Sequence, residues 1–89
     1  MNIPISDDEL KEILERCNRA TPGPWVSCIE GRDHSSGSDF IKTGTENERG
    51  NHIELSGATR SDQDFIAHAR QDVPRLIAEI QRLKQLLAR

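Results

Sequence analysis

The run Thr21-Pro22-Gly23-Pro24 constrains this chain more than any other feature, because two prolines one residue apart deny the backbone two N–H donors. Each proline also biases its predecessor away from the α region, so no helix can run through residues 21–24. Whatever precedes the run must end there. Whatever follows begins as a new element on a stiff, sharply turned chain.

The preceding segment reads as an amphipathic helix. Ser6 followed by Glu9 is a capping box, Asp7 and Asp8 lie where the positive end of a helix dipole favours them, and Leu10, Ile13, Leu14 and Cys17 recur at helical spacing. The predicted bounds are about Asp7 to Arg19, with Glu12 and Arg16 as an i,i+4 pair on the outer face. After the prolines, Trp25-Val26-Ser27-Cys28-Ile29-Glu30 combines β-branched and aromatic residues with a rough period of two, a strand with Trp25, Ser27 and Ile29 on one face. Phe40-Ile41 and Ile53 with Leu55 are two further short apolar runs. Bounded by Gly, Ser, Asn and charged residues, they suggest a three-stranded antiparallel meander with loops near 31–38 and 44–51.

Two helices are expected to follow. Ser61 with Asp64 is a capping signature opening a segment with Phe65, Ile66 and Ala69 on one face, which would complete the core under the sheet. Asp72-Val73-Pro74 reads as a fresh helix start, which places a break or kink near residues 71–73. The last helix carries Val73, Leu76, Ile80, Leu83 and Leu87 at alternating a and d positions of a heptad, with Glu79 at g and Lys84 at the following e. In a parallel pair those two charges meet between chains. Ile77 and Leu86 widen the stripe, and only about two heptads are present where roughly three or four define a confident seam. The expected architecture is therefore a single α+β domain over 1–89: an N-terminal helix, a small three-stranded antiparallel sheet and two C-terminal helices, the last long and amphipathic, with 73–89 as an oligomerisation helix.

A chain of 89 residues has one small core, and three aromatic residues (Trp25, Phe40, Phe65) leave that core to Ile, Leu, Val and Ala. Association with a second chain is the usual remedy. No apolar stretch approaches the ~20 residues of a membrane span, and the N-terminus is acidic, so the expected place is the cytosol, with no membrane partner. Cys17 and Cys28 read as small buried apolar residues in a reduced compartment. The net charge of −3 hides an asymmetry: Asp7, Asp8, Glu9, Glu12 and Glu15 stand against Lys11 at one end, and Arg70, Arg75, Arg82, Lys84 and Arg89 against Asp72 and Glu79 at the other. The two ends are expected to attract. The acidic total and the interleaving of basic with apolar residues argue against nucleic-acid binding.

No catalytic residue is assigned. The chain has no phosphate loop, Cys-x-x-Cys, His-Glu-x-x-His or nucleophile elbow, and no cofactor is expected. Asp33, His34, Asp39, Glu46, Glu48, His52 and Glu54 crowd the polar middle, but their spacing matches no metal-ligand pattern and they read as solvated surface, so no metal is assigned. Trp25, Arg60, His68 and Arg70 are the candidate ligand-binding set: Trp25 would offer a face to a base, and the others donors to a phosphate. Each also has a plain structural role open to it, Trp25 as core anchor and Arg70 as a helix-end cation.

Two blocks carry a resemblance. Ala20-Thr21-Pro22-Gly23-Pro24-Trp25 after an amphipathic helix, and Asp64-Phe65-Ile66-Ala67-His68-Ala69-Arg70 leading through Asp72-Val73-Pro74 to Leu76-Ile77-Ala78-Glu79-Ile80, resemble the Ead-type early proteins of lambdoid phages and their prophage relatives. They cover about a third of the chain; residues 31–60 match nothing in that family. The resemblance implies a non-enzymatic accessory protein, expected to act as a homo-oligomeric interaction module on a host protein or a host-defence signal. A small-ligand protein that sequesters nucleotides is the alternative.

Overall fold

The computed structural model describes residues 4–35, 37–44 and 52–88, and it shows an α+β chain in the order α1 (Asp7–Arg19), β1 (Trp25–Cys28), β2 (Phe40–Thr43), α2 (Arg60–Leu87). α1 starts and stops where its sequence places it. The Ser6 hydroxyl accepts from Glu9 N–H while the Glu9 carboxylate accepts from Ser6 N–H, and Ala20 closes the helix by donating to Arg16 C=O. The Gly23–Pro24 peptide is cis, and β1 begins immediately after it.

The sheet has two strands rather than the expected three. β1 and β2 pair antiparallel with Trp25 opposite Thr43 and Cys28 opposite Phe40. The third run contributes a single bridge, in which Ile41 and Ile53 exchange N–H···O bonds of 2.8 and 2.9 Å. Leu55 does not extend it, because the chain turns at Ser56-Gly57, where Gly57 has φ +79°, to reach the cap of α2. The expected loop at 31–38 is a tight turn in which Arg32 and Asp33 N–H both donate to Ile29 C=O; most of the loop expected at 44–51 lies outside the described residues. Period two holds where strands form: Ser27, Ile41 and Thr43 share the inner face with Trp25, while Val26 is exposed.

A second correction concerns the C-terminal half, which is one continuous helix of 28 residues, about 42 Å long, and not two. Pro74 lies inside it. The missing N–H removes the bond to Arg70 C=O at a cost of about 3 kcal/mol relative to Ala. The helix continues because both flanks are anchored, by Gln71 on β1 and by buried Ile77 where α1 packs. The cap also shifts by two residues. Thr59 and Asp62 form the capping box, which leaves Ser61 and Asp64 inside the first turns.

α2 lies across β1 with its N-terminal half and against α1 with its C-terminal half. Asp7 forms an ion pair with Lys84, and Leu10 is buried, so α1 runs antiparallel to the end of α2. The acidic and basic ends of the chain do meet. The core is small: Leu10, Ile29, Ile41, Ala67 and Ile77, with the polar Thr43 and Gln63 buried among them. No helix among the described residues is long and apolar enough to cross a membrane.

Candidate functional site: an outward apolar face on α2

The inward stripe of α2 is unusually polar. Gln63, Ala67, Gln71, Pro74 and Ile77 follow one another at three- and four-residue spacing and face the sheet and α1. The two glutamines sit there because polar groups of β1 and β2 that face the helix need partners. Gln71 accepts from Trp25 N–H at 2.8 Å and donates to Trp25 C=O at 3.1 Å, which are the two bonds a neighbouring strand residue would make. Gln63 donates to the Ser27 hydroxyl at 2.9 Å and to Phe40 C=O at 3.1 Å. With amides occupying the inner stripe, the more apolar stripe of the same helix turns outward, about a third of a turn round the cylinder.

That outward stripe contains all five predicted interface positions. Leu76, Leu83 and Leu87 are exposed at 61, 45 and 87%, while Val73 and Ile80 are half-buried. It also contains residues that the sequence assigned to the core: Phe65 is 75% exposed and Ile66 37%, with Ala69 half-buried beside them. The spacing predicts them on an inward face, but the face of the helix that turns inward is the one with Gln63 and Ala67. Between Phe65, Ile66 and the turn at Leu55–Ala58 lies an open hollow of about 460 Å³ at the N-terminal end of the stripe.

The four ligand-binding candidates do not converge. Trp25 and His68 border one shallow groove beside β1, with the indole N–H donating to Thr21 C=O at 3.0 Å. Arg70 donates to the same Thr21 carbonyl at 3.0 Å, and Arg60 donates to Glu30 C=O at 3.3 Å. The cation that does enter the Trp25 groove is Arg32, which sequence reasoning missed. It is held by two carboxylates: Asp64, gripped by both terminal nitrogens at 2.8 and 2.9 Å, and Asp33 at 2.9 Å.

Arg32, followed by the Ser27 hydroxyl, holds Asp64 well below the usual carboxylate range. Asp33 is lowered by Arg32 first and by the Ile29 N–H it accepts. The same contacts raise the Arg32 guanidinium above its ordinary value, Asp64 contributing most. A guanidinium already satisfied on two sides is a tie between the 29–33 turn and α2, not a receptor for phosphate.

In the polar middle, His34 and His52 both pack against the Phe40 ring, with centroids at 5.0 and 4.3 Å. Asp39 caps Glu30 N–H, and Asp33 is spent on Arg32. No three metal-ligating side chains converge among the described residues; Glu46 and Glu48 lie outside them. The fold and its exposed face thus define a small α+β chain whose largest unsatisfied feature is a helical apolar stripe. Comparison with family models, characterised proteins and solved structures finds no match for the chain.

Proposed function

We propose that this protein is a non-enzymatic interaction module that self-associates through the outward stripe of α2 and acts, as a homo-oligomer in the host cytosol, on a host protein or a host-defence signal. The observation that carries the reading is the exposure of Leu76, Leu83 and Leu87 together with Phe65 on one helix face. A contiguous apolar face of this kind on a small soluble-type chain marks a protein contact. The accessory role on a host target rests on the resemblance of the ATPGPW and DFIAHAR blocks to Ead-type phage proteins.

Nucleotide sequestration is the weaker reading. Trp25 and His68 share a groove, but Arg32, Arg60 and Arg70 are engaged with carboxylates or backbone carbonyls, leaving little to grip a phosphate.

Light scattering across a range of protein concentrations tests the main reading. The wild-type chain is expected at a defined multiple of its 10.0 kDa mass, and Leu76→Lys/Leu83→Lys at the monomer mass with unchanged helical circular dichroism. A wild-type chain that stays monomeric at every concentration would overturn it.

A further inference from the structure

We infer that the occupant of the stripe is the α2 of one second copy, lying parallel and in register, with a seam that runs from Ile66 to Leu87. This rests on the self-association reading above and adds the number, the direction and the extent of the contact.

The extent follows from which residues α2 uses at home. Gln63, Ala67, Gln71 and Ile77 are taken by β1 and α1. What remains repeats every seven residues: Ile66, Val73, Ile80 and Leu87 at a, and Ala69, Leu76 and Leu83 at d. Turning Ile66 and Ala69 outward lengthens the seam to about three heptads, the lower end of the span that marks a coiled coil.

The number follows from side-chain shape. β-Branched residues at a with Leu at d favour two strands in a parallel coil, and Ile66, Val73 and Ile80 at a face inward beside Leu76 and Leu83 at d.

The direction follows from the flanking charges. In a parallel pair the g residue of one chain meets the e residue five positions on in the other, which places Glu79 against Lys84 on both sides of the seam. Lys84 already pairs with Asp7 of its own chain and Glu79 with Arg82 of its own, so the contact joins two ion pairs into a four-charge chain. An antiparallel pair, in which a faces d, would set Val73 against Leu76 and bring g to g, with Asp72 against Glu79, two acids.

The e flank carries α1, and the g flank, with Leu86 exposed, is open. Parallel pairing brings that open flank against the α1 side of the other copy. It also carries the two Phe65 hollows to the same end of the pair.

Disulfide trapping tests the direction. With Cys17 and Cys28 replaced by Ser, Ala69→Cys and Leu87→Cys are each oxidised alone, and Ala69→Cys is also mixed with Ile80→Cys. A parallel in-register pair places residue 69 opposite its own counterpart, within the short Cα separation a disulfide needs. Each single variant is therefore expected to convert most of the chain to a covalent dimer, with light scattering before oxidation at twice the monomer mass. Cross-linking only in the 69–80 mixture would overturn the direction while leaving self-association standing. A defined trimer or tetramer would overturn the number, and a monomer would overturn this inference together with the reading beneath it.

Discussion

The side-chain amide of Gln71 takes both backbone hydrogen bonds of Trp25, its N–H at 2.8 Å and its C=O at 3.1 Å, and so stands in for a strand beside β1. A third bond, to Ala67 C=O at 3.2 Å, fixes the amide on its own helix. One residue thereby links the entry from the Pro-Gly-Pro turn to the middle of α2, and a substitution there has a clear consequence. Gln71→Leu keeps much of the shape and leaves the Trp25 edge groups unpaired, which is expected to cost about 1–3 kcal/mol. Gln71→Glu keeps an acceptor for Trp25 N–H and loses the donor, so it should fall between. Urea midpoints give the comparison; an unchanged midpoint in Gln71→Leu would mean that water serves the edge equally well.

Gly23 lies close to that amide. A Cβ built on it falls 3.3 Å from Gln71 Oε1 and 3.7 Å from Arg70 Cγ. Because three hydrogen bonds hold the Gln71 amide, it cannot yield freely, and Gly23→Ala is expected to lower stability by about 1 kcal/mol. In a Gln71→Ala background the same change should cost nothing or help, which a double-mutant cycle by urea denaturation would read.

The tie between Arg32 and Asp64 predicts a pH dependence. Asp64 has its carboxyl lowered from the ordinary 3.8, so the folded state binds its proton less readily than the unfolded chain. The stabilisation is present above the ordinary value and is lost as pH falls through the lower folded one. Wild type should therefore exceed Asp64→Asn in urea midpoint by a constant margin at neutral pH, and the margin should close below about pH 4. Both side chains are partly exposed, so added salt should narrow it as well. A margin that widened on acidification would contradict the assignment.

Pro74 offers a test of how α2 is held. Pro74→Ala restores the N–H that bonds Arg70 C=O and is expected to stabilise the helix by about 1–3 kcal/mol, with a gain in helical circular dichroism. A loss of stability would show that the half-buried ring is itself a packing element where the helix passes from β1 to α1.

The elements governed by near neighbours were legible along the chain. α1 keeps the bounds set by Ser6, Glu9 and the prolines, and β1 opens at Trp25, because caps and proline geometry act within a few residues. The departures share one cause. Asp64 left its capping role for Arg32, thirty-two positions away, and Thr59 with Asp62 took the cap instead. The third strand shrank to the Ile41–Ile53 bridge as the chain turned towards that cap.

The candidate sites divide in the same way. Val73, Leu76, Ile80, Leu83 and Leu87 could be found from their heptad spacing, whereas the grouping of Trp25, Arg60, His68 and Arg70 rested on residue type alone, and the fold sends Arg60 and Arg70 to separate carbonyls. Arg32 gave no local signal for its tie to the body, since one carboxylate is merely the next residue, Asp33, and the other, Asp64, lies on a helix far along the chain.

By itself, the sequence determined that α1 ends before Pro22, that a strand follows Pro24, and that the last third of the chain is helical with an apolar stripe. Only the tertiary structure decided which side of α2 faces the body. Hydropathy alone would bury Phe65, Ile66 and Leu76. The polar groups of β1 and β2 needed hydrogen-bond partners more than they needed apolar cover, so Gln63 and Gln71 turned inward, and the apolar stripe was left facing out.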